Sequence, residues 1–297
     1  MNPTLLFALP GNEVMARSLA ALLGVALGNL VMRKFPDGET YLRYENTLDG
    51  KNIALVCTLN DPDSKLVSLV LAAEAARQLG AARVGLISPY LAYMRQDALF
   101  HAGEAITSRT IAALLSSHFD WLATIDPHLH RYRSLSDIYS IPTQVIHAAP
   151  AIAAWIRANV GKPFLIGPDA ESAQWVRNVA EDLRAPYATL NKRRQADRAV
   201  VLEPVDLARI GDRTPVLVDD IISSGQTMIA AVKMLNAANT GTPVCIAIHG
   251  LLADGTDRQL MDMGARVVTT NTVPGPAAEI CLDEWMVEGI HTLERGR

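Results

Sequence analysis

Short apolar runs rich in β-branched residues alternate along the chain with longer, alanine-rich amphipathic ones. Residues 4–8, 52–57, 83–88, 121–125, 163–167, 187–190, 215–218, 243–249 and 267–270 read as strands. Residues 12–23, 63–79, 108–117, 150–158, 171–183, 228–238 and 259–263 carry helical spacing. A strand that is apolar throughout must be covered on both faces, and a helix after each strand supplies that cover. The pattern predicts an α/β fold of mostly parallel sheets flanked by helices. At 297 residues, two domains are expected. Residues 59–84 and 166–190 both read strand, Pro-Asp turn, helix, short link, strand. This echo predicts two similar halves, 1–148 and 149–297.

Residues 216–228 read VLVDDIISSGQTM. Asp219 and Asp220 are expected at the carboxyl end of the strand 215–218. Ser223, Ser224, Gly225, Gln226 and Thr227 then form a turn into a helix expected to start at Met228. Open α/β sheets bind ligands at the carboxyl ends of their strands. A helix start offers N–H groups without intrahelical partners and a partial positive charge, so it suits an anion. Gly225 lets a ligand approach the backbone, and the hydroxyls add donors. Carboxylates accept hydrogen bonds from sugar hydroxyls. A ribose with a 5-phosphate therefore matches both parts of the stretch. A plain strand–turn–helix capped by Ser and Thr explains the hydroxyls but not two acids at a strand end.

The net charge of -4 lacks the broad basic surface that nucleic acid or an anionic membrane requires, but it permits a local anion pocket. Cys57, Cys245 and Cys281 lie far apart, so neither a zinc site nor a disulfide framework is expected. No apolar run approaches the roughly 20 residues that span a bilayer. The N-terminal stretch lacks the basic start of a secretion signal. The expected setting is a reducing cytoplasm.

The stretch from Val216 resembles the phosphoribosyl-binding motif of type I phosphoribosyltransferases and of phosphoribosyl diphosphate synthetases, the ribose-phosphate diphosphokinases. Other segments resemble the synthetases alone. Phe35-Pro36-Asp37-Gly38-Glu39 is similar to an N-terminal Phe-x-Asp/Asn-x-Glu motif. That likeness implies that Phe35, Asp37 and Glu39 contact the adenine of ATP, often in a neighbouring subunit. Residues 89–97, PYLAYMRQD, resemble Pro-Tyr-x-x-Tyr-x-Arg-Gln-Asp. This implies that Arg95 and Gln96 serve ATP, and an Arg beyond a strand end can fork two phosphate oxygens. Asp126-Pro127-His128-Leu129-His130 is similar to the family's Asp-Leu-His or Asn-Pro-His. The implied place of His128 is near magnesium and the ATP phosphates, with Asp126 and His130 as helpers. Asn191-Lys192-Arg193-Arg194 resembles the Lys-x-Arg of a catalytic loop, which implies catalytic roles for Lys192 and Arg194. Asp169, after Gly167-Pro168, matches a metal-side acid. Residues 103–109, GEAITSR, resemble the branch common in archaea.

The resemblance implies two phosphoribosyltransferase-like domains, with ATP on the first and ribose 5-phosphate on the second. The implied reaction transfers the diphosphoryl group of ATP to O1 of ribose 5-phosphate, with Mg2+ as cofactor. Asp219, Asp220 and the turn 223–227 would hold the sugar phosphate, and Lys192 and Arg194 would stabilise the transferring group. A homodimer or higher homo-oligomer follows if residues 35–39 serve a neighbour. Three departures from the family pattern stand out. Ala170-Glu171-Ser172 replaces a loop that usually carries glycine, so Glu171 is expected to repel phosphate unless it turns away or is paired. Ala98-Leu99-Phe100 replaces a basic run. Ser223 replaces an Asp, as in the archaeal-type branch. Two other readings stay open: a nucleobase phosphoribosyltransferase indifferent to ATP, and a synthetase-like regulatory subunit that binds nucleotides without turnover.

Overall fold

The computed structural model describes residues 3–195, 199–203 and 207–295. The chain divides into two compact units, Met1–His147 with Asp283–Arg297, and Ala148–Leu282. Unit 1 contains β1 (Leu5–Ala8), α1 (Glu13–Leu23), β2 (Ala26–Leu27), β3 (Leu30–Lys34), β4 (Thr40–Tyr44), β5 (Asn52–Val56), α2 (Leu66–Gln78), β6 (Arg83–Ser88), α3 (Thr107–His118), β7 (Trp121–Ile125) and β8 (Thr143–Ile146). Six strands form a sheet in the order β2-β1-β5-β6-β7-β8, every pair parallel. β3 and β4 form a separate antiparallel hairpin. Ile53–Val56 of β5 and all of β7 are buried, as a parallel sheet covered on both faces requires.

Unit 2 contains α4 (Ala149–Asn159), β9 (Pro163–Gly167), α5 (Ala173–Leu183), β10 (Tyr187–Thr189), β11 (Asn191–Gln195), β12 (Ala199–Glu203), β13 (Thr214–Ile222), α6 (Gln226–Ala237), β14 (Val244–Gly250), α7 (Thr256–Asp262), β15 (Arg266–Thr270) and β16 (Ala278–Ile280). Its sheet runs β10-β9-β13-β14-β15-β16, again wholly parallel, and β11 and β12 form an antiparallel hairpin. In the middle of the sheet Leu217 pairs with Ile166 on one side and Cys245 on the other. Phe164, Ile166, Leu217, Met228, Val232 and Leu235 belong to the core that joins this sheet to α6.

The two units share one plan. Each opens with two parallel strands linked by a helix, inserts a hairpin, and returns to the sheet beside its first strand. The echo read between 59–84 and 166–190 is therefore out of register. β5–α2–β6 has its topological counterpart in β13–α6–β14, because both follow the hairpin. Two βαβ units of similar length look alike in sequence whatever their rank in the sheet.

Three other expectations change. The strand expected at 215–218 continues to Ile222, since Ile221 and Ile222 pair with His249 and Gly250; the acid pair thus lies within β13. α6 begins at Gln226, not Met228. The division into 1–148 and 149–297 leaves out an exchange. The helix α8 (Asp283–Arg295) follows β16 but packs on α1, β7 and β8 of unit 1, while α4 follows β8 but packs on α5 and β16. Met286 and Ile290 of α8 are buried, and Gly289 lies where a Cβ would meet Ile146 Cγ1 at 2.4 Å. Among the described residues, no helix is long and apolar enough to cross a membrane.

Gly85 of β6 faces the Trp121 indole, where a Cβ would lie 2.0 Å from Cε2. Gly85→Ala is expected to destabilise unit 1 by about 1–3 kcal/mol through overpacking. Chemical denaturation measures this, and Trp121→Leu in the same chain should recover part of the loss.

Candidate active site

In unit 2, β13 delivers Asp219 and Asp220 to the carboxyl end of the sheet, and the turn 223–227 leads into α6. Asp220 is buried and Asp219 half-buried, and the Asp220 amide donates to Asp219 Oδ1 at 3.0 Å. The turn is anchored through its carbonyl oxygens. Ile222 O accepts from the amides of Leu251 and Leu252 at 3.0 and 2.9 Å. Ser223 O accepts from the Ala253 amide at 3.1 Å and from Thr256 Oγ1 at 3.3 Å. Its amides are left to the opposite side. Gly225, at φ 67°, occupies the N-cap of α6, and no described side chain caps this end. The first intrahelical bond of α6 runs from the Ile229 amide to Gly225 O at 2.7 Å. The amides of Gln226, Thr227 and Met228 precede it and point out of the helix start. Glycine is required here twice over: the left-handed backbone disfavours a side chain, and a Cβ would sit 2.2 Å from Thr256 Cγ2.

A second segment joins this end of the sheet. β9 stops at Gly167, and Pro168 and Asp169 follow. Asp169 Oδ1 accepts from the amides of Glu171 and Ser172 at 3.0 and 3.2 Å, and Ser172 Oγ donates to Asp169 O at 2.6 Å. These bonds fix the Asp169 carboxylate and turn the Glu171 amide inward, while the Glu171 side chain is exposed. Burial pushes the Asp219 carboxyl well above the usual carboxylate range, and the charges of Asp220 and Asp169 push it the same way. Three acids crowd this end of the sheet, and a cation or a set of sugar hydroxyls would relieve their repulsion. Lys192 and Arg194 fall on β11, opposite Leu202 and Val200; their side chains lie outside the described residues.

In unit 1, two neighbouring strands supply a cluster of their own residues. The loop after β6 buries Tyr90, Leu91, Ala92 and Met94 and leaves Arg95 exposed. Gln96 Oε1 accepts from Thr107 Oγ1 at 3.0 Å, and Gln96 O accepts from the Ser108 amide at the start of α3. Asp97 is buried and pairs through Oδ1 with Arg131 Nη1 at 2.6 Å. Tyr132 Oη donates to Asp97 O at 3.2 Å. The loop after β6 is thereby tied to the loop after β7, which carries His128 and His130. Those rings lie 3.8 Å apart, with His130 Nε2 at 3.2 Å from His128 Nδ1. Asp126, at φ 29°, accepts from His147 Nδ1 at 2.7 Å, and this bond raises the imidazole's affinity for its proton.

Phe35, Asp37 and Glu39 stand apart from that cluster, on the exposed turn between β3 and β4. Phe35 packs edge-on to Tyr41, and the Arg33 guanidinium lies 4.8 Å over the Phe35 ring. Asp37 Oδ1 accepts from the Glu39 amide at 3.1 Å, which closes the turn. Arg131, Tyr132, His147 and Thr256 are the residues of these two sites that sequence reasoning passed over. Arg131 and Tyr132 directly follow the Asp-Pro-His-Leu-His segment, so their neighbourhood was the available signal. Thr256 has no local signal at all.

Comparison with known proteins bears on both units. The model of the N-terminal domain of ribose phosphate pyrophosphokinase matches residues 4–118, and the phosphoribosyl transferase domain model matches residues 134–285. A ribose-phosphate pyrophosphokinase of Saccharolobus solfataricus is 32% identical over 86% of this chain and 88% of its own. One from Methanopyrus kandleri is 32% identical over 94% of this chain and 96% of its own. The crystal structure of phosphoribosylpyrophosphate synthetase from Mycobacterium smegmatis has the same fold, with a TM-score of 0.86, 22% identity and full coverage of both chains.

Two outcomes test the unit 2 geometry. Gly225→Ala should weaken sugar-phosphate binding about 5–30-fold, the effect of 1–2 kcal/mol of left-handed strain, as measured by titration calorimetry. Asp219 retains a proton in the folded chain that an unfolded carboxyl releases near pH 3.9. The raised value therefore favours the folded state at low pH, and that contribution declines as pH rises from about 4 through the raised value. Asp219→Asn should flatten this segment of the melting-temperature profile of the ligand-free protein.

Proposed function

Because the chain belongs to the ribose-phosphate pyrophosphokinase family, we propose that it moves the β,γ-diphosphoryl group of ATP onto O1 of ribose 5-phosphate, giving 5-phospho-α-D-ribose 1-diphosphate and AMP. The O1 hydroxyl attacks the β-phosphorus, the bond from that phosphorus to the α,β-bridging oxygen breaks, and the O1 proton passes to solvent. Such a transfer needs alignment and charge neutralisation more than covalent help. The observation that carries this reading is the start of α6, uncapped by any described side chain beside the acids of β13.

The 5-phosphate rests on the amides and hydroxyls of Ser223, Ser224, Gly225, Gln226 and Thr227. Asp219 and Asp220 accept from the ribose hydroxyls and fix the direction of O1. Arg95, Gln96 and His128 place the triphosphate of ATP, and Lys192 and Arg194 stabilise the charge that develops on the transferring group. Magnesium, when bound, supplies further neutralisation of the triphosphate. We assign Asp169 and His128 as its protein contacts. The Asp169 carboxylate offers the oxygen donors that suit this ion, His128 is assigned by its family position, and the acid crowding around Asp219 supports a cation nearby. The exposed turn that carries Phe35, Asp37 and Glu39 supports an adenine contact made in a neighbouring subunit, hence a homodimer or larger homo-oligomer. The working environment is the cytoplasm, with ATP and ribose 5-phosphate as partners and neither nucleic acid nor membrane.

Incubation with ATP, magnesium and ribose 5-phosphate should release AMP and phosphoribosyl diphosphate in equal amounts. Lys192→Ala and Arg194→Ala should each lower kcat by about 10²–10³, the usual scale for losing one charge-stabilising donor. AMP release no greater than in the double variant would remove this reading. Because the Glu171 side chain is exposed and its amide is held on Asp169, Glu171→Gln should change kcat by less than about fivefold, the scale of an exposed charge.

A further inference from the structure

Unit 1 contains a cavity of about 330 Å3 that the reaction above leaves unused. Three segments line it: the loop after β1 at Leu9 and Pro10, the β3–β4 hairpin at Lys34 and Thr40, and the entry to α2 at Lys65 and Ser68. The shared plan of the units makes these segments the counterparts of the loop after β9, the β11–β12 hairpin and the turn into α6. The proposed function assigns magnesium, the transferring group and the 5-phosphate to those three segments in turn. The cavity thus occupies in unit 1 the place of the sugar-phosphate site in unit 2.

Its chemistry suits the same kind of ligand. Lys34 Nζ donates to Thr40 Oγ1 at 2.7 Å, and Thr40 Oγ1 lies 2.8 Å from the buried Ser68 Oγ. Lys65 is held at the start of α2 by Thr58 O and Asn60 Oδ1, at 2.9 and 2.5 Å. Lys34, with its hydroxyl relay, and Lys65 thus line the same cavity, and no described carboxylate lines it. Met32 joins Leu9 and Pro10 as an apolar floor. The volume falls at the lower end of small-molecule sites. Burial pushes the Lys65 ammonium below its ordinary value, a penalty that an arriving anion offsets. Unit 1 also lacks the acid pair: Cys57 and Thr58 follow the apolar run of β5 where Asp219 and Asp220 follow that of β13.

We propose that the cavity beside Lys34, Lys65 and Ser68 binds a phosphomonoester, with the phosphate on the two ammonium groups and the body of the ester on Leu9, Pro10 and Met32, and that it does so without a divalent ion. The proposal rests in part on the sugar-phosphate reading of unit 2, and the test separates the two.

The full chain is titrated with inorganic phosphate, ribose 5-phosphate and AMP in the presence of a chelator, and AMP release is assayed in parallel with magnesium. In the chelated titrations, binding weakened about tenfold by Lys34→Gln is expected, the effect of losing one charge-assisted contact. Lys65→Gln, checked for folding by its melting temperature, should act in the same direction. AMP release by Lys34→Gln should equal that of the unaltered chain, since Lys34 has no part in the transfer. The occupant is read from the Lys34-dependent part of each titration: a larger Lys34→Gln effect on ribose 5-phosphate than on inorganic phosphate identifies a sugar phosphate, and a larger effect on AMP identifies a nucleotide. An equal effect on all three identifies the free anion. Chelated titrations unchanged by Lys34→Gln, or the absence of any binding without magnesium, overturn the proposal. Absence of AMP release from the unaltered chain would contradict the unit 2 reading and leave the Lys34-dependent titration as a separate result.

Discussion

The outward-facing amides at the start of α6 are the constraint on which the rest depends. They exist because β13 remains paired to β14 as far as Ile222, and because the carbonyls of Ile222 and Ser223 are then consumed by residues 251–253. With its carbonyls fixed on one side, the turn must present its N–H groups on the other. Gly225 lets the chain pass through the left-handed region there and clear the Thr256 methyl. A helix start held in this way suits an anion, since the amides and the partial charge are in place before any ligand arrives.

Around that point the charges are set against one another. Asp169, Asp219 and Asp220 gather at the ends of β9 and β13, and burial together with the charges of Asp220 and Asp169 pushes the Asp219 carboxyl well above the usual carboxylate range. Unit 1 handles a buried acid differently: Asp97 is paired with Arg131, and the pair ties the loop after β6 to the loop that carries His128. Asp97 is buried while Arg131 is exposed, so losing Arg131 would leave an uncompensated buried charge, and the pair fixes geometry more than it adds stability. One unit therefore crowds three acids together, and the other pairs Asp97 with Arg131 and Asp126 with His147. The same fold plan thus supports two different uses of the carboxyl ends of its strands.

Much of this was legible in the sequence, for identifiable reasons. Strands such as 83–88, 121–125 and 163–167 are mostly apolar and almost wholly buried, so burial on both faces marked them without help from distant residues. The β13 motif was legible because two acids and a glycine between apolar runs have few structural uses. The β3–β4 hairpin was not, since its residues are half-exposed and mixed in polarity. α8 was missed for a different reason: Gly289 interrupts its helical pattern, and the packing against Ile146 that requires the glycine is non-local. The rank of each strand, and with it the true register of the internal repeat, depends on non-local pairings such as Leu5 with Ile53 and Leu217 with Ile166, which local pattern does not reveal. Thr256, Arg131 and His147 belong to the same class, since each acts on a site residue from another segment of its own unit.

Hydrogen exchange of the residue 223–228 amides, with and without ribose 5-phosphate, tests the central claim most directly. The structure predicts rapid exchange in the ligand-free chain and marked slowing at Gly225, Gln226 and Thr227 when the sugar phosphate binds, with little change at the Ile229 amide already bonded within α6. Amides that exchange slowly before ligand is added, or that keep their rate when it is saturating, would contradict the claim that this helix start is the phosphate site.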